Sequence, residues 1–183
     1  NCGNVRLAQP KDILFNLPPG SSKSMIVSVM FPAWVWLIKP SVKFITCSYS
    51  HSIAEYLSAK SLKVMTSMKY LEIVNITRTF LLTSTAVGNI KNSRNGFRFT
   101  TSTNGTITGI HADIIICDDI NSPQSIYSDT AREEALRFVK EVLPTRKTNL
   151  KSSFTIYVQQ RFHVNDVSGW LLDKPLMILK NNL

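Results

Sequence analysis

Apolar positions along this chain fall into short continuous runs and longer helically spaced ones, and the two kinds alternate. Ile13 to Leu17 is a short, mostly apolar run that predicts a strand. The loop Pro18-Pro19-Gly20-Ser21-Ser22-Lys23-Ser24 follows, then an apolar stretch from Met25 to Ile38 that starts with helical spacing and should kink or end near Pro32. The rhythm repeats. Val42 to Cys47 reads as a strand, Ser50 or Ser52 as a helix cap, and Ile53, Tyr56, Leu57 and Val64 as one apolar helical face. Alternating strands and helices imply an α/β fold with a mostly parallel central sheet flanked by helices.

Between Lys69 and Arg94 the pattern is mixed and reads as strands or an irregular insertion. Phe97 to Thr101 alternates as a strand does, and Thr103-Asn104-Gly105-Thr106 is turn chemistry leading through Gly109. Asp113-Ile114-Ile115-Ile116-Cys117-Asp118-Asp119 is a continuous apolar run ended by two carboxylates, the pattern of a strand buried on both faces. After a polar loop, Thr130-Ala131-Arg132-Glu133 has the form of a capping box. Ala131, Ala135, Phe138, Val139 and Val142 then share a helical face until Pro144 stops it. Phe154 to Val158 predicts another buried strand and Asp166 to Leu172 a short helix, with no internal repeat or low-complexity linker.

Open α/β sheets bind ligands beyond the carboxyl ends of their strands, where Asp118 and Asp119 would emerge. Two adjacent acids there call for a cation. A phosphate loop works because backbone N–H groups at a helix start face the phosphate, a lysine adds a point charge, and a Ser or Thr hydroxyl ligates magnesium. Lys23 and Ser24 supply the last two, behind Pro19, Gly20, Ser21 and Ser22. The general pattern wants glycine where Ser22 and Leu17 stand, and a serine held in a left-handed conformation costs about 1 kcal/mol. The same residues also suit an ordinary Pro-Gly turn, and an aspartate pair also suits a solvated strand end. Asp118 would hold magnesium, and Asp119 would orient or deprotonate a water. Gln159-Gln160-Arg161-Phe162-His163 leaves another strand end and could reach the same crevice. His163 most plainly organises the next helix start, and His51 and His111 read as structural.

At 183 residues and 44% hydrophobic content the chain is the size of one domain with a real core. It starts on Asn1, and Lys180-Asn181-Asn182-Leu183 follows directly on an apolar segment, so a piece cut at both ends is expected. Twenty-one Lys and Arg against twelve Asp and Glu give +9, a balance that favours polyanions, although a basic source proteome would produce it too. The positives are scattered, through Lys60, Lys63, Lys69, Arg78, Lys91, Arg94 and Arg98. Cys2, Cys47 and Cys117 share no metal-ligand spacing, and Cys47 and Cys117, inside apolar strand patterns, read as reduced thiols, which points to the cytoplasm. Met25 to Ile38 is too short to span a bilayer, so no membrane partner is expected.

Three separated segments agree with one family. The Leu17–Ser24 loop, the stretch from Gly105 to Asp119, and Gln159 to His163 with Asp166 to Leu172 resemble, in order and spacing, the large terminase subunits of tailed bacteriophages. Phe31-Pro32-Ala33-Trp34 and Ser48-Tyr49-Ser50 also look like that family. The resemblance implies a P-loop NTPase of the ASCE type, the ATPase half of a motor that drives double-stranded viral DNA into a procapsid. It implies ATP and Mg2+ as cofactors, with Lys23 and Ser24 on the phosphates and magnesium, Asp118 on magnesium, Asp119 as the catalytic acid, and Gln160 coupling hydrolysis to movement. Implied partners are the DNA, a portal protein, a small terminase subunit and further copies in a ring, in the bacterial cytoplasm and transiently at the portal. Many members carry an arginine and a glycine in the loop where Gly20 and Ser22 stand, so a γ-phosphate arginine would come from Arg98, Arg132 or a neighbouring subunit. The family's nuclease domain would begin beyond Leu183, so no DNA cleavage is expected. The adenine-contacting segment would survive only as a remnant such as Arg6 to Gln9. A noncatalytic prophage remnant and a helicase-like ATPase are the alternatives.

Overall fold

The computed structural model describes residues 12–124 and 126–173, and the backbone of 177–178. Cys2, the Arg6 to Gln9 remnant and Lys180 to Leu183 lie outside the described residues. The first strand, β1, spans Ile13–Asn16. A helix opens at Lys23, takes π geometry over Met25–Met30 and continues as α1, Phe31–Ile38. Next come β2 (Phe44–Ser48), α2 (His51–Met65) and α3 (Met68–Thr77). Three strands follow, β3 (Leu82–Ala86), β4 (Asn89–Asn92) and β5 (Phe97–Ser102), then β6 (Ile114–Asp118). Helix α4 (Asp129–Arg137) runs on through a π turn and a 3-10 turn to Arg146, before β7 (Phe154–Gln159), α5 (Val167–Leu172) and β8 (Met177–Ile178).

The strands form one sheet in the order β3-β4-β5-β2-β6-β7-β1-β8, parallel from β5 to β8, with β3 and β4 added antiparallel at one edge. The expected α/β class, with helices flanking a mostly parallel sheet, is the one observed. Period-two alternation divides the apolar strands between two cores. Ile114, Ile116, Ile156 and Val158 face Val27, Ala33, Trp36, Met65 and Val74 on the side of α1 to α3. Ile115, Cys117, Tyr157 and Leu14 face Ala135, Phe138, Val139, Leu143 and Leu171 on the side of α4 and α5. Burial on both faces explains why these strands have no polar alternation. Trp36 is fully buried, and its indole N–H donates to Val42 O at 2.9 Å, so its one polar atom is satisfied inside the core.

The helix after the Leu17–Ser24 loop does not end at Pro32. The chain absorbs the proline through the preceding π turn, in which Phe31 N–H bonds to Ile26 O, five residues back. Helix α2 starts after Ser50, whose hydroxyl shares a hydrogen bond with Ser52 rather than capping the backbone. Its buried face is Ala54, Leu57, Ser58, Ser61 and Met65, and Tyr56 is exposed, which corrects the face expected from apolar spacing. Small serines allow the close approach, with Ser61 Oγ donating to Val29 O at 2.8 Å. The Lys69 to Arg94 region holds a helix, α3, capped by the Ser67 hydroxyl and ended by Arg78 in a left-handed conformation, then the β3–β4 hairpin. The capping box at Thr130 is also corrected: Ser128 is the cap, accepting from Ala131 N–H at 3.4 Å. Among the described residues, no helix is long and apolar enough to cross a membrane.

Candidate active site

Because β7 lies between β6 and β1, the carboxyl ends of three parallel strands bring the Leu17–Ser24 loop, Asp118 and Asp119, and Gln159 and Gln160 to one edge of the sheet. The loop turns on Gly20 at φ +81° and Ser22 at φ +58°. Ser22 therefore occupies the left-handed region at the position where the general phosphate-loop pattern carries glycine. Its carbonyl accepts from Ile26 N–H at 3.0 Å, which starts the helix immediately after the loop. Ser21 Oγ closes the turn onto Pro18 O at 2.8 Å, and Pro19 and Gly20 are exposed. Replacing Ser22 with glycine should raise stability by about 1 kcal/mol and Ser22→Val should lower it by more, measured as denaturation midpoints.

Lys23 is 7% exposed. Its Nζ donates to Leu17 O at 3.1 Å and lies 3.6 Å from Asp119 Oδ1. Ser24 Oγ donates to Asp118 Oδ1 at 2.8 Å, and Ser28, one turn further along the helix, donates to Asp118 Oδ2. Burial pushes the Asp118 carboxyl up from 3.8 to about 6, with the two serine hydroxyls and Lys23 pulling the other way and Asp119 adding to the rise. Burial also raises Asp119, opposed by Lys23 and by Gln160 N–H, which donates to Asp119 Oδ1 at 3.1 Å. Two carboxylates face a single lysine at this edge. A hydroxyl and carboxylates are the hard oxygen donors that magnesium takes alongside phosphate and water, so the residues present fit that ion.

Asp119 has φ +44°, a strained value for a non-glycine residue. The backbone is fixed there from both sides: its N–H bonds to Val158 O at 2.8 Å, and its carbonyl accepts from Tyr49 N–H at 3.1 Å. Gln159, rather than Gln160, is the buried member of the pair. Its Nε2 donates to Cys117 O at 3.1 Å and its Oε1 accepts from Ile120 N–H at 3.2 Å, bracketing the backbone around the two acids. Gln160 is half-buried and meets Asp119 through its backbone. Beyond them, Asp166 organises the α5 start by accepting from Phe162, His163 and Gly169 N–H groups. The His163 ring accepts from Asn165 N–H at 3.1 Å, while His51 and His111 are exposed.

Of the two arginines named for the γ-phosphate, neither is presented to the loop. Arg98 is fully buried behind Asp118, where its Nη2 donates to Ser28 O at 2.8 Å and its Nε to Thr46 Oγ1 at 3.3 Å. Burial lowers its pKa to about 9, against the pull of Asp118. It is thus no part of the scattered surface charge. Arg132 is engaged by Ile126 O and by Asp129 in the first turn of α4. Cys47 and Cys117 are neighbours across β2 and β6, reduced thiols that share a hydrogen bond with Sγ atoms 3.4 Å apart, and burial keeps the Cys117 thiol well above its usual range. Cavities of about 500, 320 and 300 Å³ lie away from the loop, against α3 and the hairpin, against β4 and β5, and beneath α1. Spacing alone does not single out Ser28, although a serine four residues after Ser24 in an apolar helix is its one visible sign.

No family model matches the sequence, and no curated protein matches it. Solved structures that match the chain include two from bacteriophages. One is the N-terminal domain of the DNA packaging ATPase from bacteriophage phi29, at a TM-score of 0.48 and 12% identity, covering 89% of this chain and 80% of that one. The other is the large terminase from a thermophilic bacteriophage, at a TM-score of 0.45 and 11% identity, covering 97% of this chain. The chain spans 41% of that terminase's length.

Proposed function

We propose that this chain is a magnesium-dependent ATPase and that it serves as the motor domain of a phage DNA-packaging terminase. The observation that carries the ATPase reading is the convergence of Lys23, Ser24, Asp118 and Asp119 at one sheet edge, with Ser24 Oγ 2.8 Å from Asp118 and Lys23 Nζ 3.6 Å from Asp119. Those residues are 94 and 96 positions apart in sequence and come from two strand ends. The loop backbone and Lys23 bind the β- and γ-phosphates. Ser24 and Asp118 would hold magnesium, which when bound would supply positive charge against the phosphates. Asp119 orients a water for in-line attack and accepts its proton, a task suited to a carboxyl raised by burial. Gln160 N–H on Asp119 Oδ1 would pass a change at the acid to the segment 160–166 that leads into α5.

The packaging assignment is supported by the resemblance of three ordered segments to large terminase subunits, and by the +9 charge, which suits contact with a phosphate backbone. Portal, small subunit, DNA and ring neighbours are the partners this reading implies. With neither Arg98 nor Arg132 turned toward the loop, it assigns the γ-phosphate arginine to a neighbouring subunit. Phosphate release by the purified chain, measured with and without double-stranded DNA, tests the motor reading. Stimulation by duplex DNA without strand separation is expected. Strand separation would favour a helicase-like enzyme, and nucleotide binding without turnover a noncatalytic remnant.

A further inference from the structure

Arg98 and Ser28 form a series of contacts that ends on the acid at the β6 terminus, one helical turn before Pro32. In a regular helix the amide of residue 32 would donate to Ser28 O, but proline has no N–H to give. Arg98, reaching across from β5, donates to that carbonyl instead, at 2.8 Å. The same Ser28 donates through its hydroxyl to Asp118 Oδ2, while Ser24 donates to Oδ1. Arg98 Nε is anchored on Thr46 of β2. One buried guanidinium therefore links β5, β2 and the phosphate-loop helix at the residue that grips Asp118. Ser28, Thr46, Cys47, Ser48, Arg98 and Asp118 all border one small internal space.

This is an expensive way to satisfy one carbonyl. Arg98 is fully buried, its Nη1 has no hydrogen-bond partner, and desolvating a guanidinium costs several kcal/mol. An alanine at position 32 would bring back an amide that a regular helical turn directs at Ser28 O, in competition with the arginine. Resting on the ATPase reading above, we propose that Arg98 is a positioning residue for the magnesium-nucleotide site, acting through Ser28 to hold Asp118 against Ser24, and that Pro32 reserves the Ser28 carbonyl for it. The π turn before Pro32 is the local cost of that arrangement, and such turns recur at functional sites.

The test uses a fluorescent ATP analogue titrated with Mg2+ and in EDTA, beside thermal melts, on the parent chain, Pro32→Ala, Arg98→Met and the double variant. Pro32→Ala should melt within about 4 °C of the parent. Its affinity in EDTA should be unchanged, while the tightening produced by Mg2+ should shrink about tenfold or more, the scale on which small misplacements act. Arg98→Met alone should melt much lower, and adding Pro32→Ala should restore most of that loss without restoring the Mg2+ effect. A folded Pro32→Ala protein that keeps the full Mg2+ effect overturns the proposal. So does a parallel loss with and without Mg2+, which a merely structural role would give, or a double variant that melts no higher than Arg98→Met. A parent chain with no Mg2+-dependent binding overturns the ATPase reading together with this one, whereas the other failures leave that reading standing.

Discussion

Asp119→Asn should reduce ATP hydrolysis about 10²–10⁴-fold while leaving nucleotide affinity within a few-fold of the parent. The substitution is unusually clean at this position. Residue 119 sits at φ +44°, and asparagine tolerates the left-handed region as well as aspartate does, so the backbone has no reason to move. The bonds from Asp119 N–H to Val158 O and from Tyr49 N–H to Asp119 O involve main chain only and survive. The amide oxygen can still accept from Gln160 N–H. What disappears is a carboxylate that burial has raised toward proton acceptance, together with its charge 3.6 Å from Lys23. Single-turnover phosphate release beside a nucleotide titration separates these effects. Equal losses in both would place Asp119 in binding rather than in the chemical step.

Asp118→Asn should do two opposite things: abolish Mg2+-dependent nucleotide binding and stabilise the free protein at neutral pH. Asp118 is 4% exposed, and its pKa is raised from 3.8 to about 6, chiefly by burial. A carboxyl raised on folding holds its proton more tightly in the folded chain than in the unfolded one. Stability is therefore greatest below about 3.8, falls as pH rises from there through about 6, and stays reduced above it. At about 1.4 kcal/mol per pH unit the charged group costs about 3 kcal/mol at neutral pH. Asparagine carries no such penalty and can both accept from Ser24 and donate to Ser28. Urea denaturation at pH 8 should show the variant more stable by up to about that amount, with the advantage shrinking toward pH 4. A variant less stable than the parent at pH 8 would mean that the serine hydroxyls and Lys23 outweigh burial.

The parallel strands were legible because burial on both faces leaves runs such as Ile114 to Cys117 without a polar residue. The loop, the helix after it and the two acids followed from their positions around those runs. What the sequence obscured has three physical causes. Helix α3 exposes Leu71, Ile73 and Ile76, so its apolar residues do not mark its buried face. Helix α2 buries Ser58 and Ser61, whose hydroxyls bond to Val87 O and Val29 O, so its true face looks polar. Arg98 counts as surface charge in any composition, and only the fold shows it behind Asp118, meeting a carbonyl that Pro32 leaves open. Likewise the division of labour between Gln159 and Gln160 depends on strand alternation at the last residue of β7, which fixes Gln159 inward.

The most direct test of the ATPase claim is phosphate release from ATP by the purified chain in Mg2+, repeated in EDTA and with Lys23→Ala. The account predicts turnover in Mg2+ that is lost in EDTA and lost in the variant, because Lys23 is the buried cation between the loop carbonyl and Asp119. Turnover unchanged by Lys23→Ala would contradict it, as would a folded parent chain that neither binds nor hydrolyses ATP.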